Sequence, residues 1–464
     1  MNAFSVMDDA PTSRFHKKLL IACCGGPFLD GYVLSIIGVA LVGIKAELQP
    51  SSVEVGLIGA ASLIGIFFGA TLFGSLTDRI GREKMYALDL AVLVAACALS
   101  VFVAEAWQLI ALRLLIGLAI GADYPIATSL LTEFTPTKKR GFMIGLTGVS
   151  WSVGAAFAYI VGAAVVGATG GHEQWRWLLG TSAVLGIIVL LLRRGIPESP
   201  RWLFNQGRVQ EAQAVIKSVY GRDVDLSAQP VDEGSRESAS FFGSFAAIVR
   251  GGYLKRTVMC GVLYLAQITP QYALLTFLPV ILAGFAISDT GSAGLIIETV
   301  IIALFALGCI PALRWVETIG RRKMTIIPFA IMAVPLIVLW VTPEAPVWII
   351  VAAFCLYAFA SGGPSILEWI YPNELFPTEV RATAVGAAVG ISRIGAATGT
   401  YLLPISIEKF GIGTTMGFGA LLTLLGFVVC FAWAPETAGR SLEQTSTIGP
   451  RAKDVAKQSV PQQR

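Results

Sequence analysis

The sequence predicts an all-α membrane protein with twelve transmembrane helices arranged as two related groups of six. Three observations carry that expectation. The 464 residues are 55% hydrophobic and only 14% charged, with a mean hydropathy of +0.72, a composition outside the range of soluble domains. Apolar runs of about 20 residues, the length that crosses a bilayer as a helix, recur twelve times between short polar connections. Two pairs of charged motifs also repeat at nearly one offset. Asp78-x-x-Gly81-Arg82 matches Glu317-x-x-Gly320-Arg321 at 239 positions, and Glu133 to Arg140 matches Glu374 to Arg381 at 241 positions. Because an even number of crossings separates equivalent points, this internal duplication places the two halves in parallel orientation.

The first six spans lie near 19–43, 55–77, 84–104, 107–130, 141–167 and 175–195. Arg14, Lys17 and Lys18 precede the first, but its apolar stretch exceeds a signal-peptide core and no small-residue cleavage site follows, so it reads as a retained helix. Residues 196–255 turn polar. Within them R-V-Q-E-A-Q-A-V-I-K-S-V-Y has helical spacing suited to the membrane surface, and S-A-Q-P-V-D-E-G-S-R-E-S-A-S reads as loop. The second six spans lie near 256–285, 292–316, 323–343, 346–371, 381–405 and 411–434, and a polar tail follows. The expected organisation is thus a bundle at 1–195, a linker at 196–255, a bundle at 256–434 and a tail at 435–464.

Orientation follows from basic residues. Outside the spans only Lys45, Arg176 and Lys409 fall on one side, and the other lysines and arginines share the side of both termini, which is therefore expected to be cytoplasmic. All seven cysteines fall inside spans with no paired or metal-ligand spacing, so free core thiols are expected. The two histidines, His16 and His172, lie outside the expected spans, which leaves no buried imidazole to relay protons. Glycines recur at helical spacing, as in Gly65 and Gly69 or Gly117 and Gly121, giving small faces on which helices pack closely or slide.

The signature segments are D-R-I-G-R-E after the second span, R-L-L-I-G followed by E-F-T-P-T-K-K-R-G at the fourth, P-E-S-P-R-W-L at 197–203, G-R-R at 320–322, Y-P-N-E-L-F-P-T-E-V-R-A-T at 371–383 and P-E-T-A-G-R-S-L-E at 435–443. In that order, over nearly the whole chain, they resemble the major facilitator superfamily, in the branch of sugar porters and related organic-ion transporters. The resemblance implies two six-helix bundles around a central cavity, alternating access, one functional unit per chain and no cofactor. It also implies that Asp78, Arg82, Glu133 and Arg140, with Glu317, Arg321, Glu374 and Arg381, form a cytoplasmic charge network. That network closes in the outward-facing state and breaks when the protein opens inward.

The departures bear on substrate. Sugar porters carry paired glutamines and a glycine early in the seventh span, whereas this chain has Gln267 and Gln271 four apart. Their coupling aspartate follows a Gly-Tyr pair, whereas here Asp30 precedes Gly31-Tyr32 and Val33 holds the usual place. The early aspartate resembles organic-anion, aromatic-acid and phosphate relatives, and Asp123-Tyr124-Pro125 looks like the phosphate-transporter version of the fourth span.

At a rise of about 1.5 Å per residue, Asp123 lies roughly 10 Å from the cytoplasmic end, Asp30 roughly 16 Å and Arg113 roughly 25 Å. Charges at such depths are costly and mark functional sites. A nearby guanidinium favours an ionised carboxylate and a dry cavity favours a neutral one, so a pairing that changes with conformation loads and unloads a proton. Asp30 with Arg113 is the expected coupling pair, and Asp123 is a second carrier, a substrate contact or a packing acid beside Pro125. Arg393, in the eleventh span, suits a carboxylate or phosphate, or else partners Glu368. Tyr264, Gln267 and Gln271 share a helix face and offer hydrogen bonds. Tyr32, Trp151 and Trp369 are wall or packing aromatics. Glu298 reads as an interfacial acid.

These readings converge on a proton-coupled symporter of a small organic ion, an aromatic or other carboxylic acid, in the plasma or inner membrane. The alternatives are a sugar or polyol porter and a non-transporting sensor with the same fold. The sequence carries no nucleophile–base arrangement, metal cluster or phosphate loop, so neither an enzyme nor a nucleic-acid binder is expected.

Overall fold

A computed structural model describes residue 7 and residues 10–169, 174–226, 252–287, 292–376 and 378–438. The side chains of Asp78, Arg82, Arg140, Trp369 and Arg381 lie outside the described residues, as do His172, the polar part of the linker and the tail beyond 438.

The described residues form thirteen α-helices: α1 (Arg14–Leu48), α2 (Ser52–Ile80), α3 (Arg82–Leu99), α4 (Ala106–Phe134), α5 (Thr137–Thr169), α6 (Trp175–Arg193), α7 (Pro200–Asn205), α8 (Val209–Tyr220), α9 (Leu254–Gly284), α10 (Ser292–Ile319), α11 (Arg321–Val341), α12 (Val347–Leu375) and α13 (Thr378–Trp433). Eleven are long and apolar enough to span a bilayer. The last runs 56 residues and is broken at Gly411, whose φ of 79° and ψ of 166° are non-helical. At about 1.5 Å per residue it is more than twice as long as the apolar core is thick. The break divides it into the expected eleventh and twelfth spans. Exposed apolar side chains stripe the span surfaces, among them Val184, Ile187, Ile188 and Leu191 on α6 and Ile327, Ile331 and Val334 on α11, as lipid contact requires.

The chain divides into two compact units. One holds Met1–Arg236, Leu275–Ala283 and Ser288–Ala303, and the other holds Glu237–Leu274, Gly284–Ile287 and Leu304–Arg464. In the first unit the expected glycine faces are packing contacts. A Cβ added at Gly65 would lie 2.3 Å from the Leu114 carbonyl oxygen, and one at Gly117 would lie 2.1 Å from that of Ser62, so α2 and α4 touch backbone to backbone. α1 and α5 meet in the same way, through Gly31 against the Trp151 carbonyl and Gly154 against that of Phe28. In the second unit Gly308 and Gly362 bring α10 and α12 together. Where lipid provides no hydrophobic driving force, such close approach is what holds helices together.

The turns at the duplicated motif share one backbone state. Gly81 precedes α3 with φ 103° and ψ 152°, and Gly320 precedes α11 with φ 97° and ψ 156°. Side chains other than hydrogen are strained there. In the linker, Ser199 caps α7 by accepting from the Trp202 amide, and α8 buries Ala212 and Ile216 against Met7, Leu203, Phe204 and Leu226.

His16 departs from expectation: it lies in the first turn of α1 and is buried. Its Nδ1 accepts from the Ser13 amide at 3.1 Å, so the proton resides on Nε2, which donates to the Phe134 carbonyl at 3.0 Å. The Tyr220 hydroxyl donates to the same carbonyl at 2.7 Å, tying α8 and the start of α1 to the end of α4. Glu298 is likewise buried, at 7% exposure, rather than interfacial. The seven cysteines are free thiols.

Candidate functional site

Four charged side chains converge inside the first unit, each from a different helix: Asp30 (α1), Asp89 (α3), Asp123 (α4) and Arg193 (α6), exposed by 1%, 5%, 5% and 6%. Arg193 sits at their centre. Its Nη2 donates to Asp123 Oδ1 at 2.6 Å, and its Nη1 donates to the Tyr86 carbonyl at 2.9 Å and to Asp89 Oδ1 at 3.5 Å. The guanidinium carbon stands 3.5 Å from the centre of the Tyr86 ring, a cation–π contact that replaces part of its lost hydration. Asp30, Asp89, Asp123, Arg193 and Gly26 line a cavity of about 10 Å³, which is room for a single water. Gly26 is required by the ion pair itself, because a Cβ there would fall 1.9 Å from Asp123 Oδ2 and 2.5 Å from Arg193 Nη2.

Three carboxylates face one guanidinium, so the fully ionised cluster carries a net charge of −2. Burying that excess is far more costly than protonating it.

Arg113 is buried, and its hydrogen bonds go to carbonyls: Nε donates to Ile58 at 2.7 Å and Nη1 to Val33 at 3.4 Å. Its Nη2 has no partner among the described residues. Asp123, expected as a second carrier or a packing acid, is the partner of Arg193. Sequence reasoning missed Arg193 and Asp89. Arg193 ends an apolar run, where basic residues ordinarily mark the interface, and only the fold shows it turned inward. Asp89 carried a signal of its own, an acid inside the third apolar run.

In the second unit a polar cluster joins α9 and α12. Gln267 Nε2 lies 2.7 Å from Gln271 Oε1, 3.3 Å from the Ser361 carbonyl and 2.5 Å from Ser365 Oγ. The Tyr264 hydroxyl donates to the Glu368 carbonyl. Glu368 is buried, and its Oε1 has no hydrogen-bond partner among the described residues. From α13, half-buried Arg393 donates to the Tyr272 hydroxyl at 3.0 Å. The expected face of α9 thus exists, with the Gln267 amide nitrogen engaged by Gln271 and by α12 and its Oε1 buried with no hydrogen-bond partner among the described residues. Tyr32 is fully buried and its hydroxyl bonds Thr181 at 2.6 Å, while Trp151 is 9% exposed. Both are packed.

At the ends of α10 and α11, Arg321 forms a two-pronged pair with Glu317 at 2.9 Å and another with Glu374 at 2.9 and 3.2 Å. Thr437 Oγ1 donates to Glu374 at 2.5 Å. Glu436 accepts from the amides of Arg321 (2.9 Å), Arg322 (3.2 Å), Thr437 (3.0 Å) and Ala438 (2.9 Å). Partial burial works against its charge, but these four donors outweigh it and hold the carboxyl below the usual glutamate range. Glu198 takes the equivalent place in the first unit, since a Cβ at Gly81 would lie 2.6 Å from its Oε2, as one at Gly320 would lie 2.5 Å from that of Glu436. Neither glutamate was singled out from sequence. The signal was their shared Pro-Glu-Ser and Pro-Glu-Thr setting, 238 positions apart. Glu133 is half-buried, and its expected partner Arg140 lies among the side chains not described.

Long apolar helices, glycine-tight packing and a buried ionic cluster define an integral membrane transporter of the major facilitator class. The chain superposes on the xylose transporter XylE of Escherichia coli with a TM-score of 0.76 at 17% identity, covering 92% of this chain and 100% of that one; at that identity the match establishes the fold. A family model described as "Sugar (and other) transporter" matches residues 18–448, and the chain belongs to that family. It is 41% identical over 443 residues to the putative metabolite transport protein YaaU of Escherichia coli, covering 95% of this chain and 97% of that one. It is 34% identical, over 96% of both chains, to the inner membrane metabolite transport protein YgcS of the same organism.

Proposed function

We propose that the protein is a proton-coupled symporter of a small organic ion, an aromatic or other carboxylic acid, working by alternating access in the inner membrane. The observation that supports this most is the buried cluster of Asp30, Asp89 and Asp123 around the one guanidinium of Arg193. Its three carboxylates outnumber the one cation, an excess of negative charge that is costly in a dry site. When water reaches the cluster, the acids ionise; when the site dries, they reload. Asp30, which shares the cavity with the ion pair, is the coupling carboxylate, Asp123 is the second carrier, and Arg113 sets the local potential from farther along α4.

Arg393, supported by Tyr272, is the anchor for an anionic solute, and its fork suits a carboxylate. Tyr264, Gln267 and Gln271 fix the solute's polar edges, and Tyr32, Trp151 and Trp369 contribute apolar walls. Both termini face the cytoplasm, where residues 196–255 link the bundles at 1–195 and 256–434. There Asp78, Arg82, Glu133 and Arg140, with Glu317, Arg321, Glu374 and Arg381, act as the charge gate. The chain functions as a single unit.

A sugar or polyol porter is the second reading, favoured by the amide and hydroxyl cluster of Gln267, Gln271 and Ser365 and by the family's description. Uptake into proteoliposomes under an imposed pH gradient separates the two. A panel of aromatic acids, dicarboxylates, phosphate and sugars is offered to the parent and to Asp30→Asn. Accumulation of an acid that a protonophore and Asp30→Asn both abolish is the expected result. Gradient-independent flux of a sugar contradicts it.

A further inference from the structure

We infer that protons reach the carboxylate cluster sideways, through a groove between α3 and α6, with Asp89 as the entry acid and Arg193 as the plug. This inference rests on the proton-coupled reading above and concerns how the cluster communicates with water.

The groove has a volume of about 430 Å³ and is lined by Tyr86, Ala87 and Ala91 of α3, Leu130 of α4, Leu190 and Arg193 of α6, and the residues from Arg194 to Pro197 that follow it. That space holds several waters, and the exposed Arg194 marks its mouth as the level where the span meets the polar interface. Arg193 lines both this groove and the small cavity holding the acids. One side chain therefore separates bulk-like water from Asp89 and Asp123. Its Nε is buried and has no hydrogen-bond partner among the described residues. Arg193 is thus incompletely anchored despite its position.

Asp89 is the acid suited to receive a proton from that side. It belongs to α3, which forms the groove wall, and it holds Arg193 only through a 3.5 Å contact, against 2.6 Å for Asp123. Its Oδ2 is buried with no hydrogen-bond partner among the described residues. The charged and titratable groups that face it are Asp30 of α1, Asp123 of α4 and Arg193 of α6, and its Oδ1 accepts from the Leu90 amide.

The step is a simple relay. A hydronium in the groove gives its proton to the Asp89 carboxylate, leaving water and a neutral acid. The neutral Asp89 releases Arg193 wholly to Asp123, then passes the proton across the one-water cavity to Asp30 or Asp123 and returns to the carboxylate form. Each transfer moves one proton and leaves the total charge of cluster and groove water unchanged. Protons would then load by a path that the solute does not occupy.

The test needs no solute. The purified full chain is taken through a pH jump while the infrared band of protonated carboxyls is followed, in the parent, Asp89→Asn, Asp30→Asn and Asp123→Asn. Ala91→Cys and, separately, Ala87→Cys are treated after folding with a cationic, water-soluble methanethiosulfonate, whose fixed positive charge repels incoming hydronium, and the parent treated in the same way controls for native thiols. The expected results are labelling at both positions and a carboxyl band that rises roughly tenfold more slowly once labelled, the scale of one fixed unit charge across an intermediate dielectric. The band reaches its full height nonetheless, and Asp89→Asn slows it similarly. Failure of both thiols to label, or labelled protein that protonates at the parental rate, overturns the lateral route while leaving the cluster intact. A band that none of the three Asp→Asn changes reduces overturns the proton-coupled reading as well.

Discussion

At the scale of single residues, the cluster around Arg193 makes a distinctive demand on stability. Removing the guanidinium leaves three buried carboxylates with no cation among the groups that line their cavity, so Arg193→Ala should cost about 3–5 kcal/mol at neutral pH. The sign with pH follows from charge. The orphaned acids are relieved by protonation, so the variant should regain part of its thermal midpoint as the pH falls toward 5. Adding Asp123→Asn removes the strongest unbalanced charge, so the double variant should melt above Arg193→Ala at neutral pH. A double variant no more stable than the single would show that the pair does not hold the helices as described. Of this cluster, Asp30 and Asp123 were legible in sequence because each is an acid within an apolar run. Arg193 was not, since a basic residue closing a span has the same sequence context whether it snorkels outward or turns inward. The direction is decided by Gly26, which leaves room for the guanidinium against Asp123.

At the scale of elements, the duplicated turns show how a short motif sets a helix start. Gly81 and Gly320 adopt a backbone state closed to other side chains, and each lies beside a glutamate from a distant segment. Glu436 meets the first amides of α11, where an anion is favoured by the helix dipole as well as by hydrogen bonds. Its folded pKa lies below its unfolded value. Its contribution is therefore complete above the ordinary glutamate range, near 4.3, and fades as the pH drops through the lowered folded value. Thermal midpoints measured from pH 7 down to pH 3 should fall in the parent over that acid window. In Glu436→Gln they should start lower and fall less, and parallel curves would remove Glu436 from the cap. Sequence exposed the repeat because charged motifs at one offset are visible without a structure. It hid the cap at Glu436, because the helix-starting amides that it accepts from, those of Arg321 and Arg322, lie more than a hundred residues away.

At the scale of the whole molecule, the twelve spans were the most legible feature, since the bilayer imposes length and apolarity on every crossing. The 56-residue helix α13 hides a span boundary, divided at Gly411 by backbone geometry. Function was legible only as far as membership of a transporter family. The solute-facing chemistry depends on which amides and hydroxyls are consumed internally, and in α9 the Gln267 amide nitrogen is taken up by Gln271, Ser361 and Ser365 while its Oε1 has no hydrogen-bond partner among the described residues.

In the proposed cycle, solute and proton move together by way of the buried acids. This is tested most directly by the external pH of weakly buffered proteoliposomes when an accepted organic acid, supplied as its anion, is added with no gradient imposed. The expected result is an alkalinisation as protons enter with the solute, abolished by protonophore and absent in Asp30→Asn. Entry of the solute with no change in external pH, in the parent protein, would contradict proton coupling.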